Sequence, residues 1–232
     1  MCLLFVATIV SGSLFFAFNA LKFLKYISVF GGAFLLAVCF VDMLPDVFAQ
    51  NDNVLLCSAF ILIGFLLQLL LELISKGAEH GHLHTDNSKD NPHSHSHLTP
   101  IMMLVGVSIH AFFEGFALIG ENGINTSLLT GVILHNIPVS VVIVGSFVQS
   151  NSSKTRAFCM LSIFAIMGVA GALIGHYSLF VMRYAHIVLS FVVGILLHVS
   201  VSTLFDNERS HQYNFIRFLI VIAAFGLVLA LP

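Results

Sequence analysis

Residues 101–120 read IMMLVGVSIHAFFEGFALIG, and the fold turns on that stretch: an apolar run about long enough to cross a bilayer, with His110 and Glu114 in its middle. Four residues apart on a helix, the two side chains lie one turn from each other on the same face. A second apolar run, 128–148, holds His135-Asn136-Ile137-Pro138 and brings a third imidazole to a comparable depth. A charged group at the centre of a span costs about 2.5–3.5 kcal/mol on insertion scales, so its presence calls for a role. Of the eleven carboxylates only Glu114 falls near mid-span, with no Lys or Arg at its depth, whereas Asp42, Asp46, Asp52 and Glu121 gather toward span ends. Taken singly, each histidine reads as a hydrogen-bonded packing residue. Together with Glu114 they form a two-nitrogen, one-carboxylate set suited to a divalent metal, with water or a further ligand completing the shell.

The composition supports a membrane setting. The chain of 232 residues is 58% hydrophobic and 9% charged, against roughly 25% charged in ordinary soluble domains. Apolar runs of spanning length fall at 2–21, 27–48, 54–75, 100–120, 127–149, 157–179, 184–205 and 214–231, which predicts an all-α polytopic membrane protein of eight transmembrane helices. The expected organisation is one transmembrane domain over 1–232, with no room for a soluble catalytic domain. Residues 1–20 carry no positive charge ahead of the apolar core, so the first run reads as an uncleaved helix rather than a signal peptide.

Basic residues set the orientation, because Lys and Arg are enriched in cytoplasmic loops. Lys22, Lys25, Lys76, Lys89, Lys154, Arg156, Arg209 and Arg217 fall on one side of an eight-span layout, and Arg183 falls on the other. This places both termini outside the cytoplasm of a multi-pass protein of the cell (plasma or inner) membrane, with the bilayer as a partner. A net charge of −2 offers nothing to nucleic acid. Cys2, Cys39, Cys57 and Cys159 have no paired spacing and read as small packing residues.

Residues 76–99 are the low-complexity stretch. They carry His80, His82 and His84, then His93, His95 and His97, six of the twelve histidines. Polar, with Pro and Asn, the segment is predicted to be a disordered cytoplasmic loop between the third and fourth spans. Alternating imidazoles on a mobile chain can wrap a borderline-soft cation such as zinc, copper or nickel; buffering, sensing and delivery all fit.

The remaining polar residues in spans are weaker signals. Pro138 removes a donor from the fifth helix and is expected to free the Leu134 carbonyl, as broken helices do at transporter midplane sites; a simple kink is the other reading. His198, followed by Ser200, Ser202 and Thr203, is an additional candidate metal contact, while His176 and His186 sit near span ends and read as structural. Gly31-Gly32 and the Gly168, Gly171, Gly175 series are small-residue faces for close helix packing, compatible with a homodimer.

These motifs resemble the ZIP family of zinc and iron transporters over almost the whole chain. The resemblance is carried by His110-Ala-Phe-Phe-Glu114-Gly115, by His135-Asn136-Ile-Pro138, and by Gly31-Gly32-Ala-Phe-Leu leading to Asp42-Met43-Leu-Pro45-Asp46, together with the His-rich loop, eight spans and outward termini. The style is that of short bacterial members. It implies uptake of a divalent cation into the cytoplasm, held between the fourth and fifth helices while two helix bundles move against each other. By position, His110, Glu114 and His135 match the family's principal metal site, and Asp42 or Met43 of the second helix is a candidate fourth participant. Many bacterial members carry Asn and Glu where this chain has Ala111 and Val139, and a further acidic ligand in the sixth helix where it has Met167-Gly168-Val169. One intramembrane metal is therefore expected rather than two, with Asn136 keeping a single oxygen of the second site.

The expected mechanism has Asp42, Asp46, Asp52 and Glu121 concentrating cations at the mouth, the three-ligand site taking the ion, and the loop histidines accepting it. Zn2+ is the expected substrate, Fe2+, Mn2+ and Cd2+ being tolerated by the same donors, and no catalytic cofactor is needed. Ligand protonation competes with metal, so uptake should fall with pH. The alternative is an intramembrane zinc hydrolase of lipid or peptide, with Glu114 as general base; it lacks an HExxH helix and has no use for a His tract. A cation-diffusion exporter and a pure metal sensor rank below it.

Overall fold

The computed structural model describes residues 1–17, 21–49, 53–75, 98–120, 123–205 and 215–231. The His-rich tract, Asp52 and Glu121 lie outside them. Among the described residues ten α-helices follow in order: α1 Cys2–Ala17, α2 Leu21–Val38, α3 Leu44–Ala49, α4 Val54–Ser75, α5 Leu98–Phe116, α6 Thr126–Gln149, α7 Lys154–Tyr177, α8 Leu179–Arg183, α9 Ala185–Phe205 and α10 Phe215–Ala230. A π-helical turn, Cys39–Met43, joins α2 to α3 without a break, so that Leu24–Ala49 forms one continuous rod.

That rod and α4, α6, α7 and α9 are long and apolar enough to cross a membrane. Three shorter apolar helices, Cys2–Phe16, Pro100–Phe116 and Phe215–Ala230, stand where the remaining spans were expected. The chain is an all-α polytopic membrane protein. Buried residues make up 72% of the apolar window of α6 but 22% of that of α4, so α6 is central and α4 faces lipid with Leu55, Leu62, Leu66 and Leu73.

Several predicted ends move. The fourth span was expected to run to residue 120, but α5 stops at Phe116; Ile119–Gly120 then pairs antiparallel with Gly123–Ile124 in a two-residue hairpin. Gly123 takes φ 103°, open to glycine without strain. Asn125 then caps α6, its Oδ1 accepting from the Leu128 amide at 2.8 Å. The sixth span starts at Lys154 rather than residue 157, because Ser153 caps it by accepting from the Arg156 amide. Pro138 lies inside an unbroken α6. Its missing donor does not break the helix, which is buried along most of its length by its neighbours.

The helices sort into two groups by what they touch. One hydrophobic cluster joins Val107 and Ala111 of α5, Val139 and Ile143 of α6, and Leu161 and Phe164 of α7, with Ile9 and Phe15 of α1 against it. The other joins Phe34 and Leu35 of α2, Cys57 of α4, Val192 and Leu196 of α9, and Ala224 of α10. Leu128 and Val132, in the first turns of α6, reach into the second cluster and stitch the groups together.

Candidate metal site

Close backbone approach sets the site. Gly31 of α2 lies against α6 at the candidate ligand His135: a Cβ there would stand 3.1 Å from the His135 amide nitrogen. Gly115, the residue after Glu114, faces α7, where a Cβ would meet the Gly168 carbonyl at 2.5 Å and the Ala172 nitrogen at 2.6 Å. Gly171 returns the contact, its α-hydrogen side pressed on the Phe112 carbonyl. Only glycine lets the helices come this near, and α5 and α6 are held at fixed heights as a result. The small-residue faces are thus occupied within one chain and give no separate support to a homodimer.

At this height His110, Glu114 and His135 converge, each offering a ligand atom within 4.8 Å of the others. Among the described residues it is this set of His, Cys, Asp and Glu side chains that groups three or more ligand atoms so closely. His110 Nε2 lies 3.0 Å from Glu114 Oε1, one helical turn on. The His110 and His135 rings meet edge to face with centroids 6.0 Å apart. All three residues are buried, Glu114 to 1% exposure. Two imidazoles and a carboxylate on two facing helices are the donor set of a zinc site with an open coordination position.

The other candidates make contacts of their own. Asp42, half-buried on the π turn, accepts a hydrogen bond from the Ser127 hydroxyl at the start of α6. Met43 is packed into the second hydrophobic cluster. Asn136 is buried beside His135, and its backbone carbonyl accepts from Ser140 at 2.7 Å. Ala111 and Val139 share one apolar cluster, and a Cβ at Gly168 would stand 3.7 Å from the Ala111 carbonyl oxygen. Apart from Asn136, the positions where the resemblance would put a second metal's ligands, Ala111, Val139 and Gly168, carry no donor side chain.

His198 lies elsewhere, its Nε2 3.6 Å from Glu72 Oε2 of α4 and its ring edge-on to Phe65 at 4.7 Å. Glu72 went unremarked in the sequence because it lies near the end of its span. The available signal was Gln68, four residues earlier, which shares its helix face and is fully buried. Cys39 is buried in the second hydrophobic cluster and free of disulfide, a small packing residue.

Comparison with known proteins agrees with this architecture. Residues 74–231, more than half the chain, match the family described as ZIP Zinc transporter. A relative named Zinc transporter ZIP1, from Danio rerio, is 22% identical over 255 aligned positions covering 90% of this chain and 84% of that protein. Family members are membrane transporters of divalent metal cations and not enzymes, which removes the hydrolase alternative. With the match running from the end of α4 through α10 and taking in the histidine and glutamate motifs of α5 and α6, the chain belongs to the ZIP zinc transporter family.

Proposed function

We propose that this chain carries zinc into the cytoplasm through one intramembrane site made by His110, Glu114 and His135. The observation that supports it is the convergence of those three buried ligand atoms within 4.8 Å on two facing helices. Bare polar groups at such a depth are costly unless they act, and a zinc ion would satisfy all three together. The apolar surroundings of Ala111 and Val139 favour one ion rather than two.

In this reading the eight spans form one transmembrane domain with both termini outside. Asp42 and Asp46 stand at the outer mouth and raise the local cation concentration. The two helix groups meet along α2 and α6 and between α4 and α5, and their relative movement opens the site to one side and then the other. His198 and Glu72 lie nearer the cytoplasmic ends of α9 and α4, where they offer a later contact. The histidines at 80, 82, 84, 93, 95 and 97 then accept the ion. Three protein ligands suit a carrier, which must strip water from the ion and still release it. Zinc is favoured by the nitrogen-rich set, and Fe2+, Mn2+ and Cd2+ are its competitors.

The test is zinc uptake into sealed proteoliposomes by the parent and by His135→Ala. Loss of flux in a monodisperse His135→Ala variant is expected, and parental flux from it would reject the site.

A further inference from the structure

At the α8 end of the bundle, a cavity of about 330 Å³ opens between α4, α5, α8 and α9, walled by Phe60, Phe116, Phe180, Tyr184, Val188 and Phe191. We propose that it holds an acyl chain of a phospholipid whose phosphate is bound by Arg183. The walls present hydrocarbon and ring carbon, so water, which needs two to four polar partners, has nothing to bond there. An empty gap of this size would forfeit the dispersion contacts of its lining. In a bilayer the abundant filler is a lipid tail.

The cation is placed to hold the other end of the same molecule. Arg183 is exposed at the end of α8, with its guanidinium 5.9 Å from the ring centroid of Tyr184, itself a wall of the cavity. No carboxylate occurs from Tyr177 to Phe191 to compete for it. The same short helix exposes Leu179, Phe180 and Met182 by 83%, 68% and 56%. Apolar side chains beside an arginine and two tyrosines, Tyr177 and Tyr184, describe a segment lying at headgroup depth. A phosphate at Arg183 and a chain running in past Tyr184 satisfy both features at once.

The site bears on the moving parts. Phe116 belongs to α5, two residues beyond Glu114, whereas Phe60, Val188 and Phe191 belong to the other helix group. The Phe113 ring meets Phe116 at 5.7 Å and Phe191 at 5.1 Å, so the wall continues into the contact between the groups. A chain seated there wedges the seam along which they slide.

The test is native mass spectrometry of the full chain taken from vesicles of palmitoyl-oleoyl phosphatidylglycerol into mild detergent, with palmitate as a second probe. One phospholipid per chain is expected. Arg183→Gln should weaken it about five-fold, the effect of one interfacial cation, and Val188→Phe, which fills the cavity, should abolish it while the protein stays monodisperse. Absence of the adduct from the parent, equal occupancy in all three proteins, or palmitate binding as well as phospholipid would overturn the proposal. A parent dimer that Val188→Phe converts to monomer would also overturn it, in favour of a second copy covering the cavity.

Discussion

Replacing Gly31 with alanine asks whether the α2 backbone positions His135, the ligand proposed on α6. The new Cβ would stand 3.1 Å from the His135 nitrogen, 3.2 Å from the Leu134 carbonyl carbon and 3.3 Å from the His135 Cα, where ordinary contact begins at 3.4 Å. All three neighbours are backbone atoms and cannot rotate aside. The helices must therefore part by about 0.3 Å, more than the roughly 0.2 Å to which metal–ligand distances are held. Overpacking costs about 1–3 kcal/mol and the better helix propensity of alanine returns about 1 kcal/mol, so the variant should fold. Disturbing the support of a ligand typically costs about 10–100-fold in metal affinity. Gly226→Ala is the control, since a Cβ there meets nothing within 4 Å. The assay is initial zinc uptake in proteoliposomes over a concentration series, with thermal unfolding of both variants in detergent. Gly31→Ala should raise KM about tenfold while Gly226→Ala leaves it at the parental value. Equal KM in both folded variants would refute the reasoning.

Other perturbations separate packing from chemistry. Gly171→Leu drives a side chain into the Phe112 carbonyl and should destabilise the α5–α7 contact by about 3 kcal/mol or more, read as a lowered unfolding midpoint in detergent. Glu72→Gln and His198→Ala should each lower the maximal uptake rate and leave the zinc KM unchanged; a raised KM would place the pair at the entry step instead. Lowering pH from about 7 to 5 protonates imidazoles that must be neutral to bind metal, so uptake should fall. A steady rise over that range would point to proton-driven symport.

The candidate site was legible in the sequence because its chemistry conflicts with its surroundings. His110, Glu114 and His135 stand out against apolar runs, and helical spacing alone puts the first two on one face. Span positions were legible for the same reason, and α4 was predicted to the residue. What escaped depends on local geometry that hydropathy does not encode. The end of α5 at Phe116 reflects a hairpin with Gly123 at positive φ, although the preceding residues remain apolar. The π turn at Cys39–Met43 adds a residue to one turn and so redirects every side chain around it. Cys39 and Met43, the two ends of that turn, both lie in the second hydrophobic cluster. The glycine pattern announced close packing, but only the structure assigns α5 to α7 and α2 to α6.

The most direct test of the account is zinc uptake into sealed proteoliposomes by the parent, by Glu114→Ala, and by a variant with His80, His82, His84, His93, His95 and His97 all replaced. Flux abolished in Glu114→Ala and retained when the loop histidines are gone is the predicted result. Parental flux from a folded Glu114→Ala protein would contradict it.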